Sequence, residues 1–90
     1  MRTVTLYTRR DCCLCDEARK VLDSVRRVED FALEVVDVDQ TPELARKYGL
    51  EVPVVTIDGR KAFKYRVDPK GLLARLRGEG IFARWLGRRR

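Results

Sequence analysis

The chain has 90 residues, 44% of them hydrophobic, which is enough for one compact domain over residues 1–90 and argues against disorder. Its net charge is +6, but residues 1–59 are net acidic, so the excess of Lys and Arg lies entirely in residues 60–90. Histidine is absent, which excludes Ser/His and Cys/His catalysis and every zinc site that uses imidazole. No apolar run approaches ~20 residues and no apolar leader precedes the first strand, so we expect a cytoplasmic protein that neither crosses a membrane nor is exported.

The first third of the chain predicts a strand, a helix and a second strand. Residues 3–8 alternate between polar and apolar side chains, as a half-buried strand does. Apolar residues then recur at three- and four-residue steps over residues 14–28, and Asp11 is the predicted N-cap of this helix. Residues 31–38 are largely apolar and β-branched, which favours a buried second strand.

The middle of the chain predicts a short helix and a third strand. Thr41 is a favoured N-cap residue, Pro42 suits the first helical position, and Gly49 ends the pattern. Residues 54–57 read as a strand that Pro53 opens without losing an interior hydrogen bond of the sheet.

The last predicted elements are a hairpin and a helix. Asp58-Gly59 separates residues 54–57 from the apolar residues 62–65, and Asp68-Pro69 then caps a helix that Gly78 interrupts. The order is therefore β-α-β-α-β-β-α, an α/β fold with a four-stranded mixed sheet flanked by helices. Two strand–helix–strand crossovers predict three parallel strands, and the hairpin adds one antiparallel strand.

All three cysteines lie where the first strand gives way to the first helix. Cys12 and Cys15 are three residues apart, so they share one helix face, and Cys12 lies at the helix terminus where backbone N–H groups favour a thiolate. Cys15, one turn further in, is positioned to resolve a mixed disulfide formed on Cys12. We expect Cys13 to point to solvent, as an accessory thiol at most. A Cys-x-x-Cys sequence after a first strand in a βαβ pattern indicates a redox motif.

Two other roles are open to the cysteines: a structural disulfide and a metal site. A structural disulfide between positions three apart closes almost no loop and adds little stability. A metal or iron–sulfur site needs a fourth ligand from Asp11, Asp16 or a second chain, since three thiols leave a tetrahedral site incomplete. We therefore predict no resident metal, and we keep as the alternative a non-catalytic module that carries a metal or cluster or docks to a partner.

The sequence resembles the thioredoxin superfamily, and within it the small bacterial glutaredoxin-like proteins. The resemblance extends to about Leu76, and its motifs are Leu6-Tyr7-Thr8, Cys12-Cys13-Leu14-Cys15, the strand from Val35 to Asp39, and Glu51-Val52-Pro53-Val54. It implies a thioredoxin-like fold and a thiol–disulfide oxidoreductase. The sequence departs from typical glutaredoxins in having Cys13-Leu14 in place of Pro-Tyr, and Tyr65-Arg66-Val67-Asp68 in place of a glycine pair.

The resemblance also implies a substrate site. By this similarity the bond before Pro53 is cis, Pro53 lies against the reactive sulfur, and the Val52 backbone pairs with substrate as an added strand. Arg9 or Arg10 replaces the lysine that meets a glutathione carboxylate, and Asp68 lies near the γ-glutamyl end. The implied partners are a disulfide-containing protein or a glutathione adduct, with glutathione or a thioredoxin-type system as reductant. No cofactor is implied beyond glutathione as a possible co-substrate.

The sequence predicts a basic amphipathic tail over residues 79–90. We expect its apolar residues, Ile81, Phe82, Trp85 and Leu86, to cover the sheet or the last helix, while its arginines keep the end of the chain soluble. Binding of nucleic acid or anionic lipid is the less favoured interpretation. Attraction of an acidic partner protein to the thiol site is a third. The sequence thus predicts a monomeric cytoplasmic enzyme that reduces protein disulfides or glutathione mixed disulfides through Cys12 and Cys15.

Overall fold

The computed structural model describes residues 2–78, which form one sheet with helices on both of its faces. The elements are β1 (Thr3–Thr8), α1 (Cys13–Arg26), β2 (Ala32–Asp37), α2 (Pro42–Tyr48), β3 (Val54–Ile57), β4 (Arg60–Lys64) and α3 (Pro69–Arg77), with a 3-10 turn at Val38–Gln40. The predicted order is confirmed. The predicted tail, residues 79–90, lies outside the described residues.

Side-chain caps start the second and third helices where the sequence predicts them. Thr41 Oγ1 accepts a hydrogen bond of 3.2 Å from the N–H of Leu44, at the start of α2. Asp68 Oδ2 likewise accepts one of 3.0 Å from Gly71 N–H, at the start of α3. Gly78 ends α3 in the left-handed region, at φ 74°, which glycine adopts without strain.

The hairpin between β3 and β4 is tighter than the apolar pattern suggested. Asp58 and Gly59 both have positive φ, 50° and 86°, as a two-residue type I′ turn requires. β4 therefore begins directly at Arg60, two residues earlier than residues 62–65 predict, because edge strands admit charged side chains.

The sheet has the order β2-β1-β3-β4, and the prediction of three parallel strands is wrong. β1 is parallel to β2, whereas β3 is antiparallel to both β1 and β4. The reason is the length of the connection after β2. α2 has seven residues and is about 10 Å long, which is too short to return the chain along a six-residue strand of about 20 Å. β3 therefore starts beside the C-terminal end of β1, with Val54 opposite Tyr7, and runs in the opposite direction.

β2 is an edge strand, so the prediction that it is buried is also wrong. Within residues 2–78 its only neighbour is β1, and Val35 leaves 45% of its surface exposed. Burial is instead greatest in the central strands: Val4 and Leu6 of β1 and all four residues of β3 are buried.

Two apolar clusters cover the two faces of the sheet. The larger packs α1 and α3 against one face and is centred on Leu6, Leu22, Phe31, Val55 and Leu72. The smaller packs α2 against the other face through Val38, Tyr48 and Val54. No helix within residues 2–78 combines the length and the apolar character that crossing a bilayer would need.

Candidate functional site

Cys12 caps the first helix with its own sulfur. α1 begins at Cys13, and Cys12 precedes it with an extended backbone, so the prediction of Asp11 as N-cap is wrong. Asp11 instead occupies the turn before it, with φ 58°. Cys12 Sγ accepts a hydrogen bond of 3.2 Å from the backbone N–H of Cys15. The sulfur thus sits at the positive end of the helix dipole and satisfies one of its unpaired N–H groups.

The three thiols differ in access to solvent as predicted. All are free; Cys12 is half-buried, Cys13 is exposed, and Cys15 retains 3% of its surface. A sulfur at the rim of a site can meet a substrate, whereas a sulfur below it can react only with its neighbour. Access therefore separates the buried Cys15 from the other two thiols, and the helix-capping position of its sulfur distinguishes Cys12 from the more exposed Cys13.

The surroundings of Cys15 hold it as a thiol. Burial raises the pKa of Cys15 above its ordinary value of 9.0, and the adjacent Cys12 sulfur raises the pKa further. The hydroxyl of Thr8 and the backbone N–H of Arg9 donate to the Cys15 sulfur and partly offset that rise in pKa. Thr8 is a contact that the cysteine pattern alone did not identify.

Pro53 lies opposite the end of β1, the strand that precedes the cysteines. The Val52–Pro53 bond is cis, as the family resemblance implies. In the ladder between β1 and β3, Val54 pairs with Tyr7, so the preceding Pro53 faces Thr8, whose hydroxyl contacts the Cys15 sulfur. The carbonyl of Pro53 accepts a hydrogen bond of 2.8 Å from Tyr65 N–H.

Val52, directly before Pro53, presents an open backbone. Among residues 2–78, neither its N–H nor its C=O takes part in a backbone hydrogen bond. Its side chain, by contrast, packs against the cluster under α2. Unpaired main-chain groups at a strand end are a template for an added strand.

Arg9 is engaged within the protein. Its guanidinium makes two hydrogen bonds to the carboxylate of Asp39, at 3.1 and 3.0 Å, and its Nη1 donates to the Gly49 carbonyl at 3.0 Å. A Cβ at Gly49 would lie 2.8 Å from Arg9 Nη2 and would also meet the Ala45 carbonyl, so the packing here is close. Arg10, its neighbour, is exposed and makes no ion pair with residues 2–78. Of the two predicted arginines, Arg10 is therefore the one whose side chain is available to a ligand.

Asp68 is also used internally, as the cap of α3. Nearby, a groove of about 170 Å³ runs between α1 and the loop after β4, with Leu14 and Glu17 on one wall and Tyr65 and Arg66 on the other. Asp68 does not line this groove. Tyr65 takes a positive φ of 68° with no glycine present, a feature that no local sequence signal announces.

The family of the chain follows from a comparison with known proteins. Residues 3–77 match the model of the glutaredoxin-like domain (DUF836). The chain belongs to this family. This glutaredoxin-like domain is similar to protein XcR50 from X. campestris, with 37% identity and a TM-score of 0.71 over 83% of this chain and 96% of that one. It is also similar to protein Ne2328 from Nitrosomonas europaea, with 29% identity and a TM-score of 0.73 over 82% and 89%.

More distant structures share the fold of the glutaredoxin-like domain. One is mitochondrial thioredoxin 3 from Saccharomyces cerevisiae in its oxidized form, 19% identical, with a TM-score of 0.64 over 86% of this chain and 77% of that one. At this identity the likeness concerns the fold alone. It establishes the thioredoxin-like α/β architecture that the sequence predicts, with Cys12 and Cys15 at the start of its first helix.

The described part of the glutaredoxin-like domain has no cluster of metal ligands. Within the described residues, no group of three or more His, Cys, Asp and Glu side chains has an arrangement that could hold an ion. The carboxylates nearest in sequence to the cysteines, Asp11 and Asp16, are both exposed.

Proposed function

We propose that this protein is a thiol–disulfide oxidoreductase whose Cys12 and Cys15 reduce protein disulfides or glutathione mixed disulfides. The observation that carries the proposal is the pairing of a half-buried, helix-capping Cys12 with a buried Cys15 one turn away. We further propose that it acts as a cytoplasmic monomer in cell redox homeostasis. Its electrons come from glutathione or from a thioredoxin-type system.

The first step uses Cys12 as the nucleophile. Its thiolate attacks one sulfur of the substrate disulfide; the substrate S–S bond breaks, and the other substrate sulfur leaves as a thiolate. The N–H of Cys15 and the start of α1 stabilise negative charge on Cys12 before the attack. The product is a mixed disulfide between Cys12 and the substrate.

The second step uses Cys15. Its thiol loses a proton and attacks the Cys12 sulfur, and the remaining substrate sulfur leaves and takes up a proton. The Thr8 hydroxyl and the Arg9 N–H stabilise the developing Cys15 thiolate. Two electrons pass from the dithiol to the substrate, and a Cys12–Cys15 disulfide remains.

Substrate lies along the Val52–Pro53 segment in this proposal. The open N–H and C=O of Val52 pair with the backbone of an extended substrate, which brings its sulfur toward Cys12. When glutathione is the co-substrate, Arg10 is the cation available for a carboxylate. Asp68 serves mainly as the cap of α3, and Arg9 as an internal tie.

Single cysteine substitutions test the cycle. Cys12→Ser abolishes disulfide reduction, whereas Cys15→Ser stops at the mixed disulfide, which intact mass spectrometry detects as a protein–substrate adduct. Cys13→Ser is the matched control, because it removes an adjacent, exposed thiol and leaves reduction unchanged. Turnover by Cys12→Ser, or equal activity of the Cys12 and Cys15 variants, refutes the proposed cycle.

A further inference from the structure

Two of the exposed large hydrophobic side chains belong to residues that adjoin the Val52–Pro53 segment. Within residues 2–78 the exposed large hydrophobics are Val28, Val35, Leu50 and Tyr65, with exposed fractions of 65%, 45%, 92% and 45%. Leu50 is three residues before Pro53, and Tyr65 donates its N–H to the Pro53 carbonyl. Scattered exposed hydrophobics are normal, but a pair that adjoins one segment with open main-chain groups indicates a contact surface.

Leu50 is exposed although its loop is held in place. The carbonyl of Gly49, before it, accepts from Arg9 at 3.0 Å. Glu51, after it, donates its N–H to the Tyr48 carbonyl at 2.8 Å and pairs with Lys61 at 2.7 Å. The leucine side chain is therefore presented to solvent by a fixed backbone, and a ligand that covers it does not have to order the loop first.

Tyr65 is fixed to the segment that contains Val52 by its own backbone, since its N–H donates to the Pro53 carbonyl at 2.8 Å. Leu50 belongs to the loop before β3 and Tyr65 directly follows β4, so two different parts of the chain bring an exposed apolar side chain to the Val52–Pro53 segment. The main-chain groups of Val52 are open to a partner. A segment that pairs with Val52 as an added strand directs its alternate side chains to opposite faces, where they can meet such exposed residues.

We infer that Leu50 and Tyr65 select extended polypeptide substrates in which the reactive disulfide is flanked by large apolar side chains. This inference rests on the proposed function, because it needs a disulfide to be attacked at Cys12. Glutathione consists of a γ-glutamyl group, a cysteine and a glycine, so it offers no apolar side chain to either residue. The pair thus accelerates reaction with apolar polypeptides and leaves reaction with glutathione disulfide unaffected.

Single-turnover kinetics test the inference without a choice of electron donor. The pre-reduced protein is mixed with one of three substrates, and the loss of its dithiol is followed by acid quenching and alkylation. The substrates are oxidised glutathione and two cystine peptides of equal length and charge, one with Leu and the other with Ser beside each cysteine. We expect the wild type to react about tenfold faster with the Leu peptide than with the Ser peptide. A factor of this size corresponds to the free energy gained when part of a leucine side chain is covered.

Leu50→Ser reduces that preference to about twofold and leaves the rate with oxidised glutathione unchanged. Tyr65→Asn, which keeps a residue tolerant of positive φ, reduces the preference for the Leu peptide by a smaller factor. The matched control is Val28→Ser: Val28 is 65% exposed but lies just after α1, and its substitution leaves all three rates unchanged. Equal melting temperatures show that each variant is folded.

The outcomes separate this inference from the proposed function. A wild type that reduces the Leu and Ser peptides at one rate overturns the selection of apolar substrates while the redox proposal stands. A Leu50→Ser variant that slows all three reactions equally overturns it too, because the residue then acts on the thiols or the fold. A wild type that reduces none of the substrates overturns the redox proposal itself.

Discussion

Substitution of Arg9 distinguishes an internal tie from a substrate ligand. Arg9→Met keeps the length of the side chain and removes its charge and its hydrogen bonds. In the structure these are the two bonds to Asp39 and the bond to the Gly49 carbonyl, which join the end of β1 to the 3-10 turn and to the end of α2. If Arg9 serves to hold these elements together, removing its charge and hydrogen bonds lowers the stability of the fold and has no selective effect on the reaction with substrate.

The expected loss of stability is about 1–2 kcal/mol. Arg9 and Asp39 leave 36% and 50% of their side chains exposed, so solvent screens the pair, and even with paired geometry it contributes about 0.5–1 kcal/mol. The hydrogen bond to the Gly49 carbonyl adds about 0.5–1 kcal/mol. For a domain of this size, such a loss lowers the melting temperature by roughly 4–16 °C.

The assay is a double-mutant cycle in urea. Arg9→Met, Asp39→Asn and the double variant are unfolded, and the coupling energy between the two sites is expected at about 0.5–1 kcal/mol. Arg10→Met is the matched control, an adjacent exposed arginine whose loss changes stability by less than about 0.5 kcal/mol.

Two results would contradict the assignment of Arg9 as a tie. One is a loss of stability in Arg9→Met no larger than in Arg10→Met, with no coupling to Asp39. The other is an unchanged stability together with a selective loss of reaction with oxidised glutathione. That second pattern would restore Arg9 as the glutathione ligand that the family resemblance implies.

Three further predictions concern titration and the core. Because burial raises the pKa of Cys15 above 9.0, release of substrate from the Cys12 mixed disulfide accelerates about tenfold per pH unit between pH 6 and 8 in rapid-quench measurements; a flat profile contradicts this. The Lys61 hydrogen bond lowers the pKa of Glu51 from its ordinary value of 4.5, so the stability it provides is present above that value and lost as pH falls through the lowered pKa. Glu51→Gln therefore reduces the loss of stability that urea titrations measure between pH 5 and 2. A loss of stability equal to that of the wild type over this pH range would contradict the Glu51–Lys61 contact. Leu22 has no exposed surface, so Leu22→Ala costs about 2–5 kcal/mol by the same method, and a loss below 1 kcal/mol would mean that the core closes around the gap.

Features that depend on near neighbours in the chain could be predicted from the amino-acid pattern. Thr41 and Asp68 mark helix starts because their side chains reach an N–H only three residues away. The Asp58-Gly59 turn follows from residues that accept positive φ. The contrast between exposed Cys13 and buried Cys15 follows from helix periodicity. Most of the candidate dithiol site is of this local kind, which is why it could be predicted.

Features that depend on residues far apart in the chain emerge only when the whole domain is folded. The direction of β3 depends on the length of the short helix α2 before it, and no property of residues 54–57 indicates that direction. β2 reads as buried because its residues are apolar, yet its place at the sheet edge leaves Val35 exposed. Arg9 meets Asp39 thirty residues later in the chain, and Tyr65 meets Pro53 through the hairpin. Such contacts arise from packing the whole chain, since the free energy that selects them is shared among elements far apart in sequence.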